Sequence, residues 1–357
     1  MAAVPRKSAH FSPWPSFHRN AGDEGLMSAI ARMAEAAGVP PTRLMADFAQ
    51  LAIGPGRIDF SDYERLRLYD EALWAHTDRR AMVGARRGRE LAMIVNFRHD
   101  CLALASDHLA ADAYLSAHGL PTVPILAIYR AGLATPGGRL IRTRDELRAF
   151  LESRRGQPTL AQPVEGGRTR RLFGPGRDAA ADICALLDEI RDAGETSWLF
   201  RPHLAEHPDA VSDGDRLSAV RVLAANTDFG PVMLRALWRL GGRDDIIATL
   251  DLESGAVLAI FPAGSPHRAQ AAPSGFSVPE WPVVKATAVE GMRLMSQFGL
   301  IGWDIASTAK GPVILGLDPA PDVELHQLAD RRGLLDAWFY DFIAERRRLA
   351  AEHRRFG

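Results

Sequence analysis

Gly302-Trp303-Asp304-Ile305-Ala306, followed by Gly311-Pro312-Val313-Ile314-Leu315-Gly316-Leu317-Asp318, forms two extended apolar runs, each carrying one acidic residue. Val, Ile and Leu fill both runs, and Gly311-Pro312 punctuates between them, so the stretch predicts a β-hairpin with its turn at residues 307–311. Two carboxylates on neighbouring strands can hold a hard cation such as Mg²⁺, which prefers oxygen ligands and bridges to phosphates. The same spacing also suits a core hairpin whose acids only cap strand ends. Asp304 and Asp318 are therefore candidate metal ligands with a structural alternative.

Further pieces recur in order around this hairpin. Ser218-Ala219-Val220-Arg221 reads as a strand with an inward Arg, and Ala236-Leu237-Trp238-Arg239 as a second. An acidic turn (Asp244-Asp245), an Asp251-Leu252-Glu253-Ser254-Gly255 hairpin and a Pro279-Glu280-Trp281 helix start follow. Beyond the opening hairpin come Gln327 and Gly333-Leu334-Leu335. Taken together, residues 218–336 resemble the ATP-grasp superfamily, in particular its sugar-transfer-associated, alpha-L-glutamate ligase-like branch. The resemblance is weaker over residues 107–207 and slight before about residue 95.

The resemblance implies an α+β ATP-grasp fold: a small central α+β subdomain, a C-terminal antiparallel sheet, and here a helical N-terminal region. It implies a ligase that uses ATP and Mg²⁺ to phosphorylate a small-molecule carboxylate, whose acyl phosphate an amine then attacks. Such chemistry is mostly positioning and charge neutralisation. On the matching positions, Arg221 and Arg239 would stabilise phosphate and the acyl intermediate, and Asp304 and Asp318 would bind metal. His108, Gln162, Arg168 and Arg170 would meet the phosphates, and Trp198, Phe200 and Arg201 would line the adenine pocket. An Arg inside an apolar strand is costly unless paired, so pairing of Arg221 or Arg239 with Asp304 or Asp318 is the structural alternative.

The departures are equally specific. Where the family has a metal-binding Glu, this chain has Gly316, and Asp318 stands where it has Asn. Two phosphate-clamping lysines are replaced by His108 and Gln162, neither a fixed positive charge at neutral pH. The chain's three lysines, at 7, 285 and 310, lie elsewhere. Arg168, Arg170 and Arg171 sit in a Gly-rich loop that could compensate, since guanidinium binds phosphate bidentately. Two readings follow: a ligase with an Arg-dominated phosphate site, or a catalytically degenerate ATP-grasp scaffold that binds a small molecule or a partner protein. A fold-sharing enzyme with another phosphate donor is a third.

Composition sets the outer bounds. The chain has 357 residues, 47% hydrophobic and 24% charged, which suits a globular protein of two or three subdomains. A net charge of -1 gives no global attraction to nucleic acid or anionic membrane. Neither a leader sequence nor a membrane-length apolar run is expected, so the reading is cytoplasmic. Cys101 and Cys184 lie in apolar helical contexts and read as buried thiols without a disulfide.

The expected organisation is a loose tail over residues 1–22, a helical region over 23–105, a central and nucleotide-lid subdomain over 106–215, and the sheet with a terminal helix over 216–357. Apolar residues at helical spacing run from Ala29 to Ala37, where Gly38 and Pro40 stop them. Ser61-Asp62 with Glu64 predicts a helix continuing through Trp74. Asp107 caps a helix ended by Gly119, Thr143 and Glu146 form a capping box, and Ile183, Leu186, Leu187 and Ile190 mark an amphipathic helix. Extended segments are predicted at 123–129, 159–164 and 198–204, and a basic-ended helix at 336–353.

Overall fold

The computed structural model describes residues 26–129, 138–164, 170–174, 176, 178–194, 197–210, 217–241, 246–262 and 269–356. The N-terminal part is helical: α1 (Leu26–Ala37), α2 (Pro41–Ile53), α3 (Phe60–Arg65), α4 (Ala85–Val95), α5 (Leu102–Ser106) and α6 (His108–Ala117). The chain then builds β1 (Ala127–Tyr129), β2 (Arg139–Ile141), α7 (Arg144–Ser153), β3 (Thr159–Pro163), β4 (Arg170–Leu172), α8 (Ala179–Asp192) and β5 (Trp198–Pro202). A second run of strands follows: β6 (Ala219–Thr227), β7 (Gly230–Leu240), β8 (Ile246–Leu250), β9 (Val257–Pro262) and β10 (Gln270–Ala271). Helix α9 (Trp281–Leu294), β11 (Leu300–Thr308), β12 (Gly311–Asp318), α10 (Glu324–Asp330) and α11 (Ala337–Phe356) complete it.

The strands make two sheets, ordered β2-β1-β5-β3-β4 and β10-β9-β8-β7-β6-β11-β12. The larger is antiparallel at every pairing. The smaller has a single parallel pair, β1 with β2. This is the α+β layout that the resemblance implies, a small central unit followed by a larger antiparallel sheet.

Local chemistry explains most element ends. Gly38 at φ 65 and Gly119 at φ 83 end α1 and α6 in the left-handed region where glycine carries no steric cost. Asp107 caps α6 through the amides of Leu109 and Ala110, and Thr143 with Glu146 forms the predicted capping box on α7. The opening hairpin forms as read, with Gly311 at φ 102 closing its turn.

One helix departs from its expected course. Asp59, not Ser61, caps α3, and the helix stops at Arg65 instead of continuing to Trp74. Asp62 turns inward, where it answers the Asp59 amide and accepts from Ala85 N–H at the start of α4. A residue read as part of a helix start is also a buried cap for a second helix.

Each face of the larger sheet is covered. Helix α9 lies across β6, β7, β11 and β12, and Val222, Trp238, Trp281, Val284, Met292 and Trp303 interlock there. On the opposite face α10 meets β7 and β8, with Leu325 against Leu237, Ile247 and Phe261. Further along that face Val83, Leu91, Leu223, Leu300 and Phe339 join α4 and α11 to the strands. The smaller sheet packs Trp198, Phe200 and Ala161 against Phe150 of α7 and Leu186 of α8.

Cys184 is exposed and Cys101 half-buried, both as free thiols; the reading of both as buried is corrected for Cys184. Arg346 lies in α11, whose C-terminal end is basic. It is buried, donates from Nε to Val95 O at 3.0 Å and lies over the Phe97 ring. Among the described residues no helix is long and apolar enough to cross a membrane.

Candidate functional site

The register of the larger sheet brings the predicted residues onto one face. Asp304 on β11 lies opposite Arg221 on β6 and opposite Gly316 on β12, while Gly302 lies opposite Asp318. Directly opposed residues share a face and residues two apart return to it, so Arg221, Asp304 and Asp318 project together. Arg239 joins them two residues beyond Leu237, the partner of Arg221. This is the face that α10 covers.

Asp304 spends both carboxylate oxygens on one partner. Arg221 donates from Nε to Oδ1 at 2.8 Å and from Nη2 to Oδ2 at 2.8 Å. Arg221 is 5% exposed and Asp304 4%. Burial works against the Arg221 charge, but Asp304, aided by Asp318 and Asp322, outweighs it and holds the guanidinium above its ordinary range. The structural role foreseen for an inward Arg is therefore realised between Arg221 and Asp304.

The other members of this face have local duties as well. Arg239 is buried and donates to Leu217 O at 2.9 Å. Asp318 is half-buried, and its Oδ1 accepts from Ala320 N–H at 2.8 Å, a turn just past the strand. Gly316 brings no carboxylate to Asp304. Among the described residues no group of three or more His, Cys, Asp or Glu side chains is arranged to hold a metal. Among the described residues, the two carboxylates that Mg²⁺ could use on this face are engaged elsewhere, Asp304 by Arg221 and Asp318 by Ala320 N–H, so they do not fit it as they stand.

Three buried features here were not singled out in the sequence. Arg235 donates to Arg332 O at 2.9 Å and Gly333 O at 2.6 Å, with Asp330 at 3.5 Å. His326 on α10 is 0% exposed, and neither ring nitrogen has a hydrogen-bond partner. Burial, then Arg235 and Arg221, push its pKa well below the ordinary value, so the ring is neutral. Glu324 and Asp62 share Arg65 in a buried junction between α10 and α3. The acids of residues 318–324, clustered straight after an apolar strand, were the available signal for that junction.

The smaller sheet divides its predicted residues between two faces. Trp198 and Phe200, expected to line an adenine pocket, lie in the core cluster with residues of α7 and α8. Alternation sends Leu199 and Arg201 the other way, toward α6. There Arg201 forms a buried ion pair with Asp112. Burial raises the Asp112 pKa to about 6 even though Arg201 opposes it. Gln162, opposite Leu199, is 6% exposed, and His108 is half-buried in the first turn of α6. The backbone of Arg170 lies in β4. Arg168, with Gly166, Gly167, Asp244, Asp245 and the tail over residues 1–22, lies outside the described residues.

No protein-family model matches this chain, and no curated protein does. Solved structures do. The ATP-grasp ligase PsnB complexed with minimal precursor is similar at 18% identity over 69% of this chain and 62% of its own, with a TM-score of 0.38. The D-alanine-D-alanine ligase from Coxiella burnetii is similar at 11% identity over 71% of this chain and 60% of its own, TM-score 0.43. N5-carboxyaminoimidazole ribonucleotide synthetase from Thermotoga maritima is similar at 10% identity over 67% and 49%, TM-score 0.38. PsnB is an ATP-grasp ligase, of the superfamily that the sequence resembles. The chain spans less than two thirds of each of these three.

Proposed function

We propose that this chain is an ATP-grasp-type protein that binds a phosphate- or carboxylate-bearing small molecule through arginine, on a scaffold that has left Mg²⁺-dependent phosphoryl transfer. The observation that carries this reading is the engagement of both Asp304 oxygens by buried Arg221, with Gly316 on the other side. The loss of fixed charge at His108 and Gln162 supports it, because phosphoryl transfer needs cations where charge develops. The ligand partners are Arg239 and Arg221, with Arg168 and Arg170 as the arginines that the sequence offers beside them.

A second reading is favoured by a different observation, the shared face of Arg221, Arg239, Asp304 and Asp318. Under it the protein is an ATP-dependent ligase joining a carboxylate to an amine through an acyl phosphate. One assay separates the two. Purified protein is incubated with ATP, Mg²⁺ and pools of carboxylates and amines, and ADP release is measured beside thermal stability. The scaffold reading expects ligand-induced stabilisation without ADP release. ADP release by wild type that disappears in Asp318→Ala establishes the ligase instead.

A further inference from the structure

We infer that Arg221 occupies the place of a divalent cation, so that its guanidinium fills this site and the protein takes its ligand without Mg²⁺. The inference rests on the ATP-grasp-type reading above and goes beyond it, because it fixes what the ligand needs and what would make the site bind metal again.

The argument begins with geometry. A divalent cation in this face would draw on Asp304, the acid opposite it and Asp318. Position 316 offers only hydrogen, and Asp318 Oδ1 is engaged by the Ala320 amide. Asp304 remains, and the guanidinium of Arg221 covers both of its oxygens with two bonds of 2.8 Å. Asp318 and Asp322 add their negative charge to that of Asp304 in favouring the same guanidinium. Arg221 thus sits among the carboxylates as a metal ion would, with donors replacing coordination bonds.

The fold holds the pair in place. Strand β11 is hydrogen-bonded to β6 on one side and β12 on the other, so Arg221 and Asp304 cannot slide apart without losing register along two ladders. An incoming metal would have to displace the guanidinium and leave it 5% exposed beneath α10, beside Arg235 and the unpartnered imidazole of His326. A buried charge stripped of its partner is strongly disfavoured. The internal cation is therefore a permanent occupant, and the +1 charge it supplies differs from the +2 that phosphoryl transfer uses.

The test uses the full chain and Mn²⁺ as the probe. Wild type should leave the Mn²⁺ electron paramagnetic resonance signal unchanged, and EDTA should not alter any stabilisation by ATP. Arg221→Ala should lower the melting temperature, and Mn²⁺ should raise that of the variant but not that of wild type. Wild-type binding of Mn²⁺ that is lost in Asp304→Asn overturns the inference. So does ATP stabilisation that requires Mg²⁺, or a folded Arg221→Ala that gains no response to Mn²⁺. If Arg221→Ala does not fold, the wild-type spectrum decides. ADP release would defeat the proposed function, whereas Mn²⁺ binding without turnover would defeat only this inference.

Discussion

Glu324 departs far from the ordinary behaviour of a carboxyl. Burial is the largest cause, and Asp322 and Asp62 add to it while Arg65 opposes, which together raise its pKa from 4.5 to about 10. Two acids sharing one buried guanidinium cannot both ionise readily, so the junction keeps a proton at neutral pH. The folded state binds this proton more tightly than the unfolded chain does. The stability it contributes is fully present below 4.5 and is lost as pH rises toward about 10. Gln copies the neutral carboxyl, so Glu324→Gln should match wild type below pH 4.5 and already melt above it at about pH 7, where the unfolded Glu has ionised. At about pH 9 the margin should be wider, and melting curves across that range check it. A variant that tracks wild type at every pH would show that Glu324 does not hold the proton.

At the scale of elements, α9 and β11 meet so closely that one glycine decides the contact. A Cβ added at Gly291 would stand 2.7, 2.9 and 3.0 Å from three ring atoms of Trp303. Trp303 is 0% exposed and enclosed by Val284, Met292 and Trp238, so the ring has nowhere to move. Gly→Ala inside a helix ordinarily gains about 1 kcal/mol. Overpacking a rigid core costs about 1–3 kcal/mol, and with the backbone pinned by the sheet the clash should win. Gly291→Ala is expected to destabilise by up to roughly 2 kcal/mol net. Urea unfolding with an unchanged slope reads this directly. A more stable variant would mean that α9 can lift from the sheet.

At the scale of the whole molecule, the N-terminal helices are part of the C-terminal body and not a detachable arm. The Asn96 side chain accepts from the amides of Gly299 and Leu300 and donates to the carbonyls of Leu300 and Pro319. Gln327 returns the tie: its Oε1 accepts from Val83 and Leu334 amides, and its Nε2 donates to Val83 O. Both side chains are buried, so removing either partner strands polar groups away from water. A fragment beginning at Phe97 would also expose Leu223, Leu300, Phe339 and Phe342, which Val83, Leu91 and Val95 now cover. Such a fragment is expected to lose near-ultraviolet circular dichroism and a cooperative urea transition. A sharp transition in it would separate the two parts.

What the sequence determined by itself was local or periodic. The hairpin of β11 and β12, the capped starts of α6 and α7, and the amphipathic face of α8 could be read because turn residues, caps and spacing act within a few positions. Trp198 and Phe200 were readable as strand residues, but alternation alone does not say which face a helix pair will cover. Only the tertiary structure decided that they are core and that Arg201 turns toward Asp112. The same holds at the candidate site. Spacing placed Asp304, Asp318, Arg221 and Arg239 on strands, yet whether an acid meets a metal or a guanidinium depends on register between segments 83 residues apart. Such pairing is fixed by the balance of burial and charge across the assembled sheet, which no local pattern encodes.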